Sequence, residues 1–534
     1  VQTKRPMKLS LILLFFISAI AYSQTKDIIW GPIQKLSPSA RYYTLVATEK
    51  YIYEIKKTES LAYIKKINQE NLIALDSAKL ELKWDNETHE ILRGFMFADK
   101  PHVMTKTFDQ YKGITSTWVH TLNMEELTLS EPVKIADYNT PAVKKATVNP
   151  NDEATRIFSY NLIRIHTSLL GEHCIAISCK DLVGNVVEND KDKEQERTLE
   201  THFFTESFQK RQSKDFKAPS NNFYIYQMAL DLDGSVYILG RTLEVDLSRT
   251  LTARNQNIYG INNLQIIKYD PVTGDYMTEK IESDGDYLQD VRMIVDGDIH
   301  ISGIAEDESN SSNFFYAQYT SDLIQKTVVR EDLSQEFIGQ LNLKQESDIA
   351  KRNYKKSNGN EPKNLPLLNF QPILFEKLNN GDVIFGIEKK SFILSGADYY
   401  SFYGDIVLFC YNGGTKKWIK IIDKDQKVTS SKYAGTVSFI DGENLHLLFN
   451  EGDYKVEMED GYKAFDMSVK VSKPKRIRHY IINSIGEITK NSEFNLSEKK
   501  PLFLEASQCG EVAPGVIVFQ ATNQTKKVLG IFKY

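Results

Sequence analysis

Cysteine is scarce. The chain has 4 in 534 residues, too few for a fold stapled by disulfides. Cys174 and Cys179 share the stretch EHCIAISCK, which reads as one strand. At ~3.3 Å per residue their Cα atoms stand about 16 Å apart, beyond the roughly 7 Å that a disulfide tolerates. All four cysteines are expected to be buried thiols. Charge of one sign is also lacking. With 66 Lys and Arg against 71 Asp and Glu, the net charge is −5, which gives no long-range field for nucleic acid or an anionic membrane surface. Nucleic acid is therefore not an expected partner. One long apolar run exists, LSLILLFFISAIA at 9–21, preceded by Lys8 and followed by Ala21-Tyr22-Ser23. That pattern predicts a signal peptide over 7–23, with 1–6 upstream of the true start at Met7. The run is shorter than the ~20 residues of a membrane span. The chain from 24 onward is expected to be exported and soluble, periplasmic or secreted.

Catalytic signatures are missing as well. No G-x-S-x-G elbow, H-E-x-x-H helix, phosphate loop or G-x-G-x-x-G turn occurs. Histidines stand at 89, 102, 120, 166, 173, 202, 300, 446 and 479 without ligand spacing. His300 and His446 each sit on the strand after a hairpin turn, in GDIHIS and ENLHLL. They occupy equivalent positions that either converge or pack separately. The Asp231-x-Asp233-Gly234 turn lacks the remaining ligands of a calcium loop, so its Asp residues are read as turn formers. No catalytic residue, metal ligand or cofactor is assigned.

What the sequence does contain is one repeated phrase. LDLDGSVYILGR at 230–241 returns as MIVDGDIHISG at 293–303, KLNNGDVIFG at 377–386 and FIDGENLHLLF at 439–449. Each has an apolar run, a polar turn closed by glycine, and a second apolar run, the strongest short signal for a β-hairpin. Weaker copies precede them at 45–55 and 95–105, and Gly171 and Gly515 mark two more. A second hairpin follows each, as in LAYIKKINQENLIAL, FFYAQYTSDLIQKTVV and RHYIINSIGEI. Two hairpins per repeat make a four-stranded antiparallel unit. The last repeat ends one strand short, and DIIWGPIQKL near the beginning is a strand with no hairpin partner.

On this repeat the chain resembles the β-propeller superfamily in architecture. The marks of WD, kelch and sialidase propellers are absent. The resemblance implies an all-β fold: a single closed propeller over 24–534 with eight four-stranded blades, or alternatively seven. Its last blade is completed by the N-terminal strand, which removes an exposed sheet edge.

Long insertions fall at 182–200, 242–262, 334–366, 388–404 and 451–477, and strand alternation assigns all of them to one face. The basic stretch at 351–366 reads as a mobile surface insertion, and ENDKDKEQER at 188–197 as a solvated loop. Long loops on a rigid scaffold usually carry binding. Among them, FILSGADYYSFYGD concentrates Phe392, Tyr399, Tyr400, Phe402 and Tyr403, rings suited to anchoring a protein or glycan. The expected function is a non-enzymatic exported binding or scaffolding module. The alternative is a glycan hydrolase or lyase with carboxylates or histidines meeting at the central channel.

Overall fold

The structure is a computed structural model. It describes residues 27–36, 40–58, 61–109, 111–112, 114–139, 164–167, 174–179, 198–204, 209–211, 214–219, 223–242, 264–282, 287–306, 311–361, 363–395, 398–428, 433–454, 476–494, 496, 502–513, 515–523 and 525–534. The expected signal peptide, and most of the insertions at 182–200, 242–262 and 451–477, lie outside the described residues.

The chain is mostly β, and its strands repeat one antiparallel meander, so that it resembles a β-propeller. The fifth repeat is the cleanest. Strands Tyr287–Asp296, Asp298–Glu306, Ser312–Thr320 and Gln325–Asp332 pair in order. The same order recurs from Arg41–Ala47, Glu90–Phe97, Arg164–Thr167, Phe223–Leu230, Phe370–Lys377 and Thr436–Asp441. The last sheet runs from Phe503–Leu504 and Gly510–Ala513 through Val516–Thr522 to Lys526–Lys533. Its outer position is filled from the other end of the chain, where Ile29 pairs with Ile531, Trp30 with Gly530 and Gln34 with Lys527.

First strands of several successive meanders touch, and Arg41–Ala47 lies against Gly510–Ala513. One such contact is a two-way amide bond. Gln227 donates through Nε2 to the Met293 carbonyl at 2.6 Å and accepts the Met293 N–H at 2.9 Å. Apolar side chains then fill the space between sheets. Tyr237, Leu239 and Ile266 of the fourth meander pack on Met293, Ile299 and Phe315 of the fifth.

The turns divide into two classes. Gly234, Gly297, Gly381, Gly442 and Gly515 close the first hairpins at positive φ, as the sequence requires. The second hairpins of the fourth, sixth and seventh meanders also turn on glycine, at 274, 413–414 and 486, whereas those of the first, second and fifth use leucine. Leu72, Leu127 and Leu323 have φ of 56, 55 and 61°, a region that side chains with a Cβ rarely enter. All three are buried, and the residue opening each turn accepts its backbone N–H groups, as Asn123 does from Glu125 at 3.0 Å and Glu126 at 3.1 Å. Burial of the side chain offsets the backbone strain, and no local rule makes leucine a turn former.

The insertion at 334–366 carries two helices, which the all-β expectation did not include. Helix α1 spans Gln335–Leu341 and α2 spans Lys344–Asn358. Ser334 caps α1 by accepting the Phe337 N–H at 3.1 Å, and Gly359 ends α2 in the left-handed conformation, ordinary start and stop signals. Ile338 and Leu341 are buried with Phe314, Tyr316 and Phe385, so the helices cover the seam between the fifth and sixth meanders.

A pair of glycines tests this assignment with opposite signs. A Cβ at Gly297 meets no atom within 4 Å, so Gly297→Ala registers backbone strain alone, about 1–2 kcal/mol of lost stability. Gly339 lies in α1 with open space around it, and Gly339→Ala should stabilise by roughly 0.5–1 kcal/mol. Denaturant midpoints moving in the same direction for both would contradict the hairpin and helix assignments.

Candidate functional site

The segment 388–404 is not a loop. Strands Val383–Ser395 and Asp398–Asn412 run past the sheet as one long hairpin, an arm whose register continues from Lys390 opposite Tyr403 to Ser395 opposite Asp398. Its aromatic and β-branched residues, Phe392, Ile393, Tyr399, Tyr400, Phe402 and Tyr403, suit extended strand. Its root is held by Gln426–Val428, which pairs with positions 401–403 of the arm. That short strand also runs parallel to Gly452–Tyr454, joining the sixth and seventh meanders into one nine-stranded sheet.

The five aromatic candidates separate along this arm. Tyr403 is 5% exposed and packs with Val428, Ala434 and Phe503, with the Lys424 and Lys390 ammonium groups each 5.5 Å from its ring centre. It is a packing residue, not one offered to a ligand. Phe402 is half-buried. Phe392, Tyr399 and Tyr400 stand opposite Ser401, Leu394 and Ile393 along the distal arm, and their side chains lie outside the described residues.

Beneath the arm root lies a buried ion pair that the sequence reading missed. Lys424 donates to Glu388, both without exposed side-chain surface, and Thr436 donates to the same Glu388 oxygen at 2.7 Å. Burial lowers the Lys424 pKa, and the Glu388 carboxylate acts against that shift. A second pair, Lys527 with Glu54, lies between the first and last meanders, with the Lys527 ammonium 4.1 Å from the Tyr42 ring centre. Lys424 in the connection before Gln426–Val428, and Glu388, Thr436, Lys527 and Glu54 in strands, carry no sequence mark of burial, so these pairs could not have been read locally.

His300 and His446 belong to separate environments. His300 meets the Tyr316 hydroxyl at 2.9 Å through Nδ1. His446 meets His479 at 3.1 Å and stacks on Phe439 at 4.5 Å. In the second meander, His120 Nδ1 donates to the Ser130 carbonyl at 3.0 Å, which leaves Nε2 to accept from the Thr105 hydroxyl at 3.1 Å. The Thr105 oxygen then accepts from His89 Nδ1 at 2.9 Å. Trp84 covers both rings, 4.8 Å from His89 and 4.3 Å from His120. Burial pushes His89, His102, His120, His300 and His479 down to about 4, and His446 to about 3. These imidazoles are neutral packing elements at neutral pH.

Carboxylates do gather on the first strands. Glu376 of the sixth meander is pushed up to about 7 by burial and then by the Glu511 charge from the eighth. Tyr534 donates its hydroxyl to Glu511 at 2.9 Å. Burial, followed by the charges of Glu511, Glu376 and Asp441, raises the Tyr534 phenol. Among the described residues, no three His, Cys, Asp or Glu side chains are grouped to hold a metal ion. Of the cysteines, Cys410 is buried and Cys509 half-buried, both as thiols, and Cys174–Cys179 is a single strand. No helix among the described residues is long and apolar enough to cross a membrane.

No protein-family model matches the chain, and no curated protein matches it. Solved structures do. The β-propeller domain of the Trilobed protease from Pyrococcus furiosus is 11% identical, with 86% of this chain and 99% of that one covered and a TM-score of 0.35. The polysaccharide lyase Uly1 is 11% identical over 94% and 99%, with a TM-score of 0.37. Drosophila Plexin A, in complex with Semaphorin 1b, is 9% identical over 96% and 88%, with a TM-score of 0.30. No residue, ligand or activity transfers from these proteins at such similarity.

Proposed function

We propose that the chain is an exported, non-enzymatic binding module, periplasmic or secreted, that engages a protein or glycan ligand through the distal aromatic arm. The observation that carries this reading is the arm itself, a hairpin that outruns its sheet and is held at its root by a third strand and a buried ion pair. A hairpin whose backbone is already paired spends little entropy on ordering when it binds. We also infer that the meanders form one closed eight-bladed ring, completed by the N-terminal strand. The Ile29–Ile531 pairing and the contact between the first and last meanders support it. The ring would supply a rigid base for the arm.

A second reading, acid–base chemistry on a glycan, is favoured by one observation. The Glu376 carboxyl is pushed up to about 7 by burial and by the Glu511 charge, the range in which a general acid for glycoside cleavage works. One experiment separates the readings. The protein is applied to an immobilised panel of neutral and acidic polysaccharides, and both retention and newly formed chain ends are measured. Retention without cleavage is expected. The variant Phe392→Ala, Tyr399→Ala, Tyr400→Ala should bind about thirtyfold more weakly while melting as the wild type does. Unchanged affinity overturns the arm. Cleavage abolished by Glu376→Gln replaces the binding reading with the enzymatic one.

A further inference from the structure

The two helices are held to the molecule in different ways. Helix α1 buries Ile338 and Leu341, whereas no α2 residue of described burial is buried, and Ile349 is 43% exposed. A helix of 15 residues with no packed apolar face is marginal on its own propensity. The chain on either side of it is pinned. Gln335 donates to the Leu365 carbonyl at 3.2 Å and accepts its N–H at 2.9 Å. Asn342 donates to the Pro366 carbonyl at 2.9 Å and accepts the Leu368 N–H at 3.0 Å. The Leu367 N–H donates to Ser312 Oγ at 2.7 Å. The helix α2 therefore projects as a flap from a fixed base.

Glu346 fastens that flap. Its carboxylate accepts from Lys389 Nζ at 2.8 Å, from Asn369 Nδ2 at 3.0 Å and from the Leu343 N–H at 3.2 Å. The Lys389 side chain is 3% exposed, and contacts outside α2 position it. It donates to the Leu341 carbonyl at 2.6 Å and lies 5.6 Å from the Phe370 ring centre. Asn369 is held through its own carbonyl, which accepts the Lys390 N–H at 2.6 Å. An ammonium and an amide N–H thus stay aimed at one point whether or not Glu346 stands there, and charge-assisted donors of this kind recognise carboxylates.

We propose that Lys389 and Asn369 form a binding site for the carboxylate of a ligand, and that α2 is a flap whose Glu346 fills this site until the ligand displaces it. Lifting α2 exposes little apolar surface, so the ion pair is the main contact given up. A buried ammonium left without a partner is costly, so the vacated site takes another carboxylate. One anion replaces another, and ligand concentration sets the balance. The site lies on Val383–Ser395 before that strand enters the arm, and it holds whatever the arm binds.

Hydrogen exchange of the full chain, read by mass spectrometry, tests this. Peptides covering 344–358 should exchange about tenfold or more faster than those covering α1. Galacturonate and glutarate should speed that exchange about twofold or more, whereas galactose, or NaCl at the same ionic strength, should not. The variant Glu346→Gln keeps a good helix former and removes the competing charge. It should open α2 further and bind galacturonate about tenfold more tightly by calorimetry, with an unchanged melting curve. Lys389→Met should abolish the response to both carboxylates. Protection of α2 equal to that of α1 overturns the inference. So does a lower melting temperature in Glu346→Gln without faster α2 exchange, the mark of a purely structural ion pair. Carboxylates without effect on Glu346→Gln, or a response that persists in Lys389→Met, overturn it too. A response to galacturonate alone supports a site for a sugar-borne carboxylate, and a response to both probes supports one for carboxylates in general.

Discussion

Acidification from pH 7 to pH 4.5 should remove most of the protein's stability, because six histidines are buried neutral. In an unfolded chain they titrate near ~6.5, whereas in the folded protein five lie at about 4 and His446 at about 3. Between those values the unfolded chain binds more protons than the folded one, so stability rises with pH across that window. Their contribution is complete above about pH 6.5 and is lost as pH falls toward 4. Each histidine supplies a slope of up to about 1.4 kcal/mol per pH unit. Geometry explains why protonation is resisted. His446 and His479 share one hydrogen bond and accommodate a single proton between them, and Thr105 can donate to only one of its two histidine neighbours. Glu376 opposes the trend, since a carboxyl raised to about 7 favours the folded state on the acid side, but it is one group against six. Urea unfolding at pH 7.5 and pH 4.5 should differ by about 5 kcal/mol or more. A flat profile would mean that these rings are hydrated in solution.

Breaking the ion pair at the seam should be nearly as damaging. Lys527 and Glu54 are 1% and 0% exposed, and Lys527 lies on the strand that receives the N-terminal segment. Removing one partner leaves a buried charge uncompensated, so Glu54→Leu or Lys527→Met alone should cost about 3–5 kcal/mol. The double replacement should recover most of that loss, because two apolar side chains of similar volume need no partner. The comparison is a double-mutant cycle in urea. Single variants costing under about 1 kcal/mol would mean that the pair is solvated and the seam open.

Sequence alone determined the repeated hairpin. The turn glycines and the apolar alternation around them act over a few residues, so Gly234, Gly297, Gly381 and Gly442 fall at positive φ where the repeated phrase requires it. The early strand without a hairpin partner was legible for the same reason, and it pairs with Lys526–Lys533. The aromatic stretch at 392–403 was legible as unusual, though not as a paired arm. Its strand character depends on Gln426–Val428 and Gly452–Tyr454, which come from other repeats. Tyr403 reads the same as Tyr399 and Tyr400, and only the approach of Val428 and Phe503 makes it a packing residue. The leucine turns, the histidine pairs and both lysine–glutamate pairs were invisible for a common physical reason. Each stands at a position that only sheet-on-sheet packing buries, and burial converts an ordinary polar side chain into one that must find a partner or remain neutral. The helices sit between these cases. Their caps at Ser334 and Gly359 were present in the sequence, but the ion pair of Glu346 with Lys389 was set by the sheet against which they pack.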